Sequence, residues 1–412
     1  MQFYLAMLTL LLLLMPAKAR AQDVFGLLGT GAEAKAHAGA GVLASRNAAA
    51  NYYNPANLGV SALHLDPYLS VEVINLSYTY GHPDYDPITL IRTTPVPFFG
   101  FTYRVIPDLT LGFSLLPLPG GSTSQKVLGL PTRALGEEPI IVDAETKGEG
   151  MGYRASMGGA YKITPSFVVG LSLLTAASKS ILIADDADSG TTMIEESTST
   201  SSIAAILGLR AGLFDNKLIA GFTIRPPSNA TTKGEAVFPT LDGVTVDKSG
   251  KDKGPLGVGL AAEYKITPRI VPFLEFNYEG WGALRSQGGY AGITPATYDY
   301  FNTTDVVAGM EYRFNQHQIS GAFGQYQSHL GDGIMADEAD DGEELIGMEF
   351  QSIDAMPYKL LGAGYKFAFK SGYAQTGFSY LTGSREVWEN ARGYGNYTLK
   401  IISLFAGGVY RL

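Results

Sequence analysis

The side chains best suited to chemistry here are two arginines set among alternating residues, two acidic runs and five histidines. Arg154 and Arg225 each lie in a stretch where polar and apolar residues alternate, and each takes the polar phase. A guanidinium at the polar end of an apolar slot would grip a carboxylate with two parallel hydrogen bonds. The competing reading is pairing within the protein. Glu263, Glu275, Glu279, Asp305 and Glu311 hold similar positions, and with so many acids available that reading is the stronger. The runs Asp337-Glu338-Ala339-Asp340-Asp341-Gly342-Glu343-Glu344 and Asp185-Asp186-Ala187-Asp188 offer oxygens to a hard cation. Neither has EF-hand spacing. Both read as solvated loops able to bridge lipopolysaccharide through divalent ions, and no metal site is assigned. His37, His64, His82, His317 and His329 lack the helical spacing of a zinc site. No serine is placed beside a histidine by strand pairing, so catalysis is not expected. Gly29-Thr30-Gly31 is not preceded by a strand and lacks the Lys-Ser/Thr of a phosphate-binding loop.

Composition limits what can position these groups. The chain has 412 residues with 50 Gly, 24 Tyr and 20 Phe, and only 17% are charged. Hydrophobic content is 46%, yet mean hydropathy is +0.07. Helical membrane proteins are far more apolar, whereas a barrel puts apolar residues at every second position and averages near neutral. Cysteine is absent, which removes disulfides, thiol nucleophiles and thiolate metal sites. A net charge of −9 gives no basis for nucleic-acid binding. Phe3 to Met15 is apolar except for Thr9, and Pro16 and Ala19-Arg20-Ala21 follow it. Residues 1–21 therefore read as a secretory signal, although no Lys or Arg precedes the apolar core.

Six tight-turn signals recur: Val105–Asp108, Ile163–Ser166, Phe214–Lys217, Ile266–Arg269, Phe314–His317 and Phe369–Gly372. Their Pro, Asn, Asp and Gly suit turn dihedrals. Tyr161-Lys162, Tyr264-Lys265, Tyr312-Arg313 and Tyr365-Lys366 lead into four of them, and an aromatic beside a cation suits a lipid–water interface. Long polar segments, such as 120–148, 179–202, 228–254 and 328–355, lie between the turns. Short turns on one side and long loops on the other are the asymmetry of bacterial outer-membrane barrels. Both termini on the turn side imply fourteen antiparallel strands. Val258, Leu260, Ala262 and Tyr264 alternate with Gly257, Gly259, Ala261 and Glu263, and Leu274, Phe276 and Tyr278 with Glu275, Asn277 and Glu279. Period two separates the sets, and the apolar set must face lipid. The first strand changes phase, from Leu69, Val71 and Val73 to Ile74, Leu76, Tyr78 and Tyr80. A β-bulge near Val73 and a later strand start explain this equally well. At the C-terminus, Tyr410 and Leu412 share a face with Ile402, Leu404, Ala406 and Gly408. This resembles an outer-membrane assembly signal, with Leu in place of the usual terminal Phe.

Residues 22–62 do not read as strands. They are rich in Gly and Ala, contain Gly39 and Gly41, and run into Asn54-Pro55-Ala56. Small residues pack tightly, and Asn-Pro favours a turn or helix start. A compact, uncharged segment ahead of a barrel suits a plug, with residues 63–412 forming the wall. Gly39 to Leu58, ending in Asn54-Pro55-Ala56, is similar to the hatch signature of the FadL/TodX family. The plan of signal, hatch and fourteen strands resembles that family over nearly the whole chain. Leu111 to Pro117 looks like its third strand, which runs into a Pro-containing loop.

The resemblance implies a monomer without cofactor that carries long-chain fatty acids or other hydrophobic compounds. Such molecules would be captured at extracellular loops, passed to a lumenal pocket above the hatch and released sideways where a strand kinks. Gly112 and Pro117 are the kink candidates. Arg154, Arg225 and Phe25 are the ligand-binding candidates. The alternative is a barrel of the same build serving a secretion or surface-attachment system. A transporter needs an apolar pocket against the hatch and a gap in the wall, whereas an interaction protein can fill its lumen with ion pairs.

Overall fold

The computed structural model describes residues 29–61, 65–81, 87–132, 140–186, 190–239, 243–247, 249–283, 301–328, 356–387 and 395–411. The signal segment 1–21, Phe25, His64, His82, His329, the acidic run 337–344 and Leu412 lie outside them. Seventeen strands form one antiparallel sheet among the described residues. They are β1 Leu65–Gly81, β2 Ile88–Ile106, β3 Leu109–Thr132, β4 Ile140–Thr164, β5 Phe167–Asp186, β6 Thr192–Leu213, β7 Leu218–Arg225, β8 Asn229–Phe238, β9 Val244–Asp247, β10 Gly250–Lys253, β11 Gly257–Tyr264, β12 Ile270–Glu279, β13 Thr303–Phe314, β14 His317–Tyr326, β15 Tyr358–Phe369, β16 Gly372–Val387 and β17 Gly395–Tyr410. β6 pairs with both β7 and β8, so these are two halves of one wall strand interrupted at Pro226-Pro227. β9 and β10 pair antiparallel with β8, and β11 with β7, so these three form another broken strand. Counted this way the wall has fourteen strands, and β1 closes it by pairing with both β2 and β17.

All six expected turns join consecutive strands at their predicted places. The expected alternation also holds. Leu260, Leu274, Phe276, Met310 and Tyr312 are exposed on the outer face, and Glu263, Glu275 and Glu311 are buried inside. Tyr161, Tyr264, Tyr312 and Tyr365 all face outward at the turn end, where amphipathic rings favour the membrane interface. This is the wall of an outer-membrane barrel.

Two expectations fail. Much of 120–148, 179–202 and 228–254 is strand rather than loop. β3 and β4 run for 24 and 25 residues, whereas about 9–11 span a membrane. Their outer halves stay paired beyond the bilayer because neighbouring long strands supply hydrogen-bond partners. The β1 phase change is neither a bulge nor a late start. β1 begins at Leu65, and its register with β17 is unbroken from Tyr68 to Gly81. Ile74, Leu76 and Tyr78 point inward and are buried, while Asn75 points outward and donates to Thr93 Oγ1 at 2.9 Å. Above Val73 the outer face has become polar and the lumen apolar.

Candidate functional site

The N-terminal segment packs against inward-facing residues all round the ring. It contains helix α1 (Ala32–Ala36), two 3-10 turns (Ala48–Tyr52 and Pro55–Asn57) and helix α2 (Leu58–Ser61). Strand glycines make room for it. A Cβ at Gly208 of β6 would strike Asn54 Oδ1, one at Gly170 of β5 would strike Ala56 N and Pro55, and one at Gly362 of β15 would strike the Lys35 carbonyl. Gly100 of β2 faces Ala48 in the same way, and Gly221 of β7 faces Leu43. Asn54-Pro55-Ala56 thus sits in a notch cut from the wall. Asn54 Oδ1 accepts from Ala56 N at 3.1 Å and caps the turn, with Pro55 at its first position, and Asn54 Nδ2 donates to the Leu209 carbonyl at 2.9 Å. Gly39 and Gly41 lie within the segment, where side chains would collide with Tyr326 and the Tyr53 ring.

The segment is not uncharged, as its small residues suggested. Its basic side chains meet the lumenal acids. Lys35 Nζ lies 2.5 Å from Glu72 Oε2. His37 Nε2 lies 2.9 Å from Glu311 Oε1. Arg46 pairs with Glu263 at 2.7 Å. Glu33 pairs in turn with Lys366 of β15 and accepts from Asn47 Nδ2 at 2.8 Å and from Arg46 N at 2.9 Å. Glu275 accepts from the backbone of Gly41 and Val42 at 3.3 and 2.9 Å. The sequence reading paired these acids with lumenal arginines. Arg225–Glu279 and Arg313–Glu311 are pairs of that kind, while Glu263 and Glu311 meet Arg46 and His37 of the N-terminal segment, because filling the lumen brings these to the same level. Buried charges persist only when paired in this way.

Against the segment packs a dry apolar cluster on the lumenal side of the wall. Ile74 and Leu76 of β1, Leu360 of β15, Leu381 of β16, and Leu399 and Ile401 of β17 are 0–8% exposed and belong to one cluster. Phe98, Leu116, Met356 and Ala38, Ala48 and Ala49 of the N-terminal segment complete it. The signal for this cluster in the sequence was the β1 phase change.

Beside this cluster the wall is interrupted. β2 and β3 pair from Ile106↔Leu109 to Phe99↔Leu115 and no further among the described residues. β2 continues to Ile88 on β1 alone, and β3 continues to Thr132 on β4 alone. Continuing the register by two residues places Pro97 opposite Pro117. The β1–β2 ladder passes through Pro95 and Pro97 without a shift, so the N–H groups they lack are those that would have pointed at β3. Proline cannot donate to a ladder. Facing prolines at 97 and 117 therefore remove both hydrogen bonds where pairing stops. Gly112 is not a kink, for it pairs in register with Thr102 and Gly158 and leaves space for Leu58. The interruption begins just before Pro117.

Arg154 and Arg225 are not brought together. Arg225, at the end of β7, is ion-paired with Glu279, which also accepts from Trp281 Nε1 at 2.8 Å. It is a pore-filling ion pair. Arg154 has the lumenal parity of buried Ser156, and its carbonyl accepts from Tyr52 Oη of the N-terminal segment at 3.1 Å.

No family model and no curated protein matches this chain. Solved structures do match in fold. The Pseudomonas putida toluene transporter TodX is 14% identical, with a TM-score of 0.65 over 94% of this chain and 99% of that one. A Pseudomonas aeruginosa FadL homologue is 13% identical, with a TM-score of 0.61 over 96% and 99%. The Ralstonia pickettii toluene transporter TbuX is 14% identical, with a TM-score of 0.59 over 94% and 100%. The segment-filled barrel with its interruption between β2 and β3 is thus a chain with the fold of the FadL and TodX outer-membrane channels.

Proposed function

We propose that the protein passes hydrophobic compounds, fatty acids among them, across the outer membrane as a monomer without cofactor. The N-terminal segment acts as the hatch. Ligand captured at the extracellular side passes along the apolar cluster and leaves sideways between β2 and β3 into the bilayer. The observation that carries this reading is the contiguity of two features. Phe98 and Leu116, buried in the apolar cluster, flank the point where β2 and β3 part. An apolar solute gains roughly 25 cal/mol per Å² on leaving water for such a surface. The lateral gap would give it hydrocarbon on the far side without crossing the ion-paired hatch. Neighbours of the same fold are toluene transporters and a FadL homologue by name, which supports an apolar cargo.

The test compares uptake of radiolabelled long-chain fatty acid and of toluene in a deletion strain carrying either the wild type or Ile401→Asp, with mass spectrometry of co-purified lipid. The reading requires the wild type to restore uptake of at least one compound and the aspartate to abolish it. Unchanged uptake in the deletion strain, together with no co-purifying lipid, would leave the structural or attachment role as the better account.

A further inference from the structure

The lumen carries a ring of cations at the end nearest the tight turns. Every wall strand running toward those turns bears one in, or one residue past, its last four residues: Arg104, Lys162, Arg210, Lys265, Arg313, Lys366 and Arg411. Six of the seven follow a tyrosine. Alternation sends that tyrosine outward to the lipid interface and the cation inward. The backbone positions are built alike. The N–H groups of Lys162, Lys265, Arg313 and Arg411 each donate to a turn carbonyl of the preceding hairpin, of Asp108, Lys217, Arg269 and Ser371, at 2.7–2.9 Å.

The two halves of the ring differ. From β13 to β17 the charges are neutralised, Arg313 by Glu311, Lys366 by Glu33 and Arg411 by Asp66. From β2 to β11, Arg104, Lys162, Arg210 and Lys265 form no ion pair with a carboxylate among the described residues. Arg210 donates only to the Asn57 amide oxygen, at 2.9 Å. Arg104 Nε is buried with no hydrogen-bond partner. Asp108 and Asp215 are exposed in the adjoining turns, and neither forms an ion pair with the arc.

We propose that this basic arc docks an extended acidic segment of a second protein arriving on the periplasmic side. Membrane lipid headgroups meet the outer face, which the tyrosines occupy, so they are not the complement. A single small carboxylate is too short. Successive arc positions are two strand spacings apart, about 10 Å, and an extended chain rising about 3.3 Å per residue would meet one at every third residue. Charge complementarity of this kind sets encounter rate and salt dependence.

The experiment uses the full-length protein in zwitterionic-lipid nanodiscs and a fluorescein-labelled decaglutamate peptide read by anisotropy. Binding should be present at low salt and should weaken as salt rises. Loss of three half-buried charges in Arg104→Gln/Lys162→Gln/Lys265→Gln should weaken it about ten-fold. The charge-keeping Arg104→Lys/Lys162→Arg/Lys265→Arg should restore it. Arg210 is left alone because it also holds Asn57. If the triple variant does not assemble, Lys162→Gln and Lys265→Gln singly must each flatten the salt dependence. No binding at low salt, equal binding by the glutamine variants, or equally tight binding of an oligothymidylate of the same charge would overturn the proposal.

Discussion

Arg46 of the N-terminal segment donates from one guanidinium nitrogen to both carboxylate oxygens of Glu263 in β11, at 2.8 and 2.7 Å. Glu263 is nearly buried and Arg46 only partly so. Glu263→Gln should therefore leave a guanidinium under-compensated at the contact between segment and wall. Breaking a buried pair costs about 3–5 kcal/mol, and the exposure of Arg46 places this one at the lower end. The expected outcome is a lower guanidinium midpoint together with larger, noisier single-channel conductance in planar bilayers. A lowered midpoint with silent channels would mean that the pair supports the wall and not the hatch.

The glycine notch makes a steric prediction. Gly208→Val places methyls where Asn54 and Pro55 now lie. Overpacking of this kind costs about 1–3 kcal/mol, and the segment should yield more readily than the hydrogen-bonded wall. Because the chain has no native cysteine, a spin label at Ala44→Cys reports the segment alone. Its mobility should rise in Gly208→Val while the barrel keeps its heat-modifiable gel shift.

Pro97 and Pro117 can be given back their donors. In Pro97→Val/Pro117→Val, two N–H···O bonds of about 1 kcal/mol each become available across the interruption. Uptake through a lateral gap should fall severalfold without loss of assembly. A Phe98→Cys/Leu116→Cys pair should cross-link more readily on that background. Undiminished uptake would place the exit elsewhere.

Glu33 sets a pH dependence. Burial works to raise its pKa, but the Lys366 ammonium, then Arg46, outweigh burial and hold the carboxyl below its ordinary value. A folded value below the unfolded one gives stability that is fully present above the unfolded value, about 4.3. That stability is lost as pH falls through the folded value. Spin-label mobility at Ala44→Cys should rise as pH falls below about 4.3. Glu33→Gln should show high mobility throughout and a flatter profile.

The sequence by itself determined the wall. Tight turns such as Phe214–Lys217, the two-residue period of β11 to β13, and the outward Tyr beside an inward cation are local properties, and the hydrogen-bond ladder turns them directly into a barrel. It also marked Asn54-Pro55-Ala56, whose capping geometry is local too. Only the tertiary structure decided what the lumen contains. Arg46 and Glu263 are 217 residues apart, and Gly208 matters only because Asn54 arrives beside it. The outward-lipid rule failed at Ile74, Leu76 and Tyr78 because period two separates two faces without saying which is dry, and closure of the ring makes part of the inside drier than the outside. The prolines at 97 and 117 were visible as residues. Their opposition depends on the register between β2 and β3, which exists only once the strands have paired.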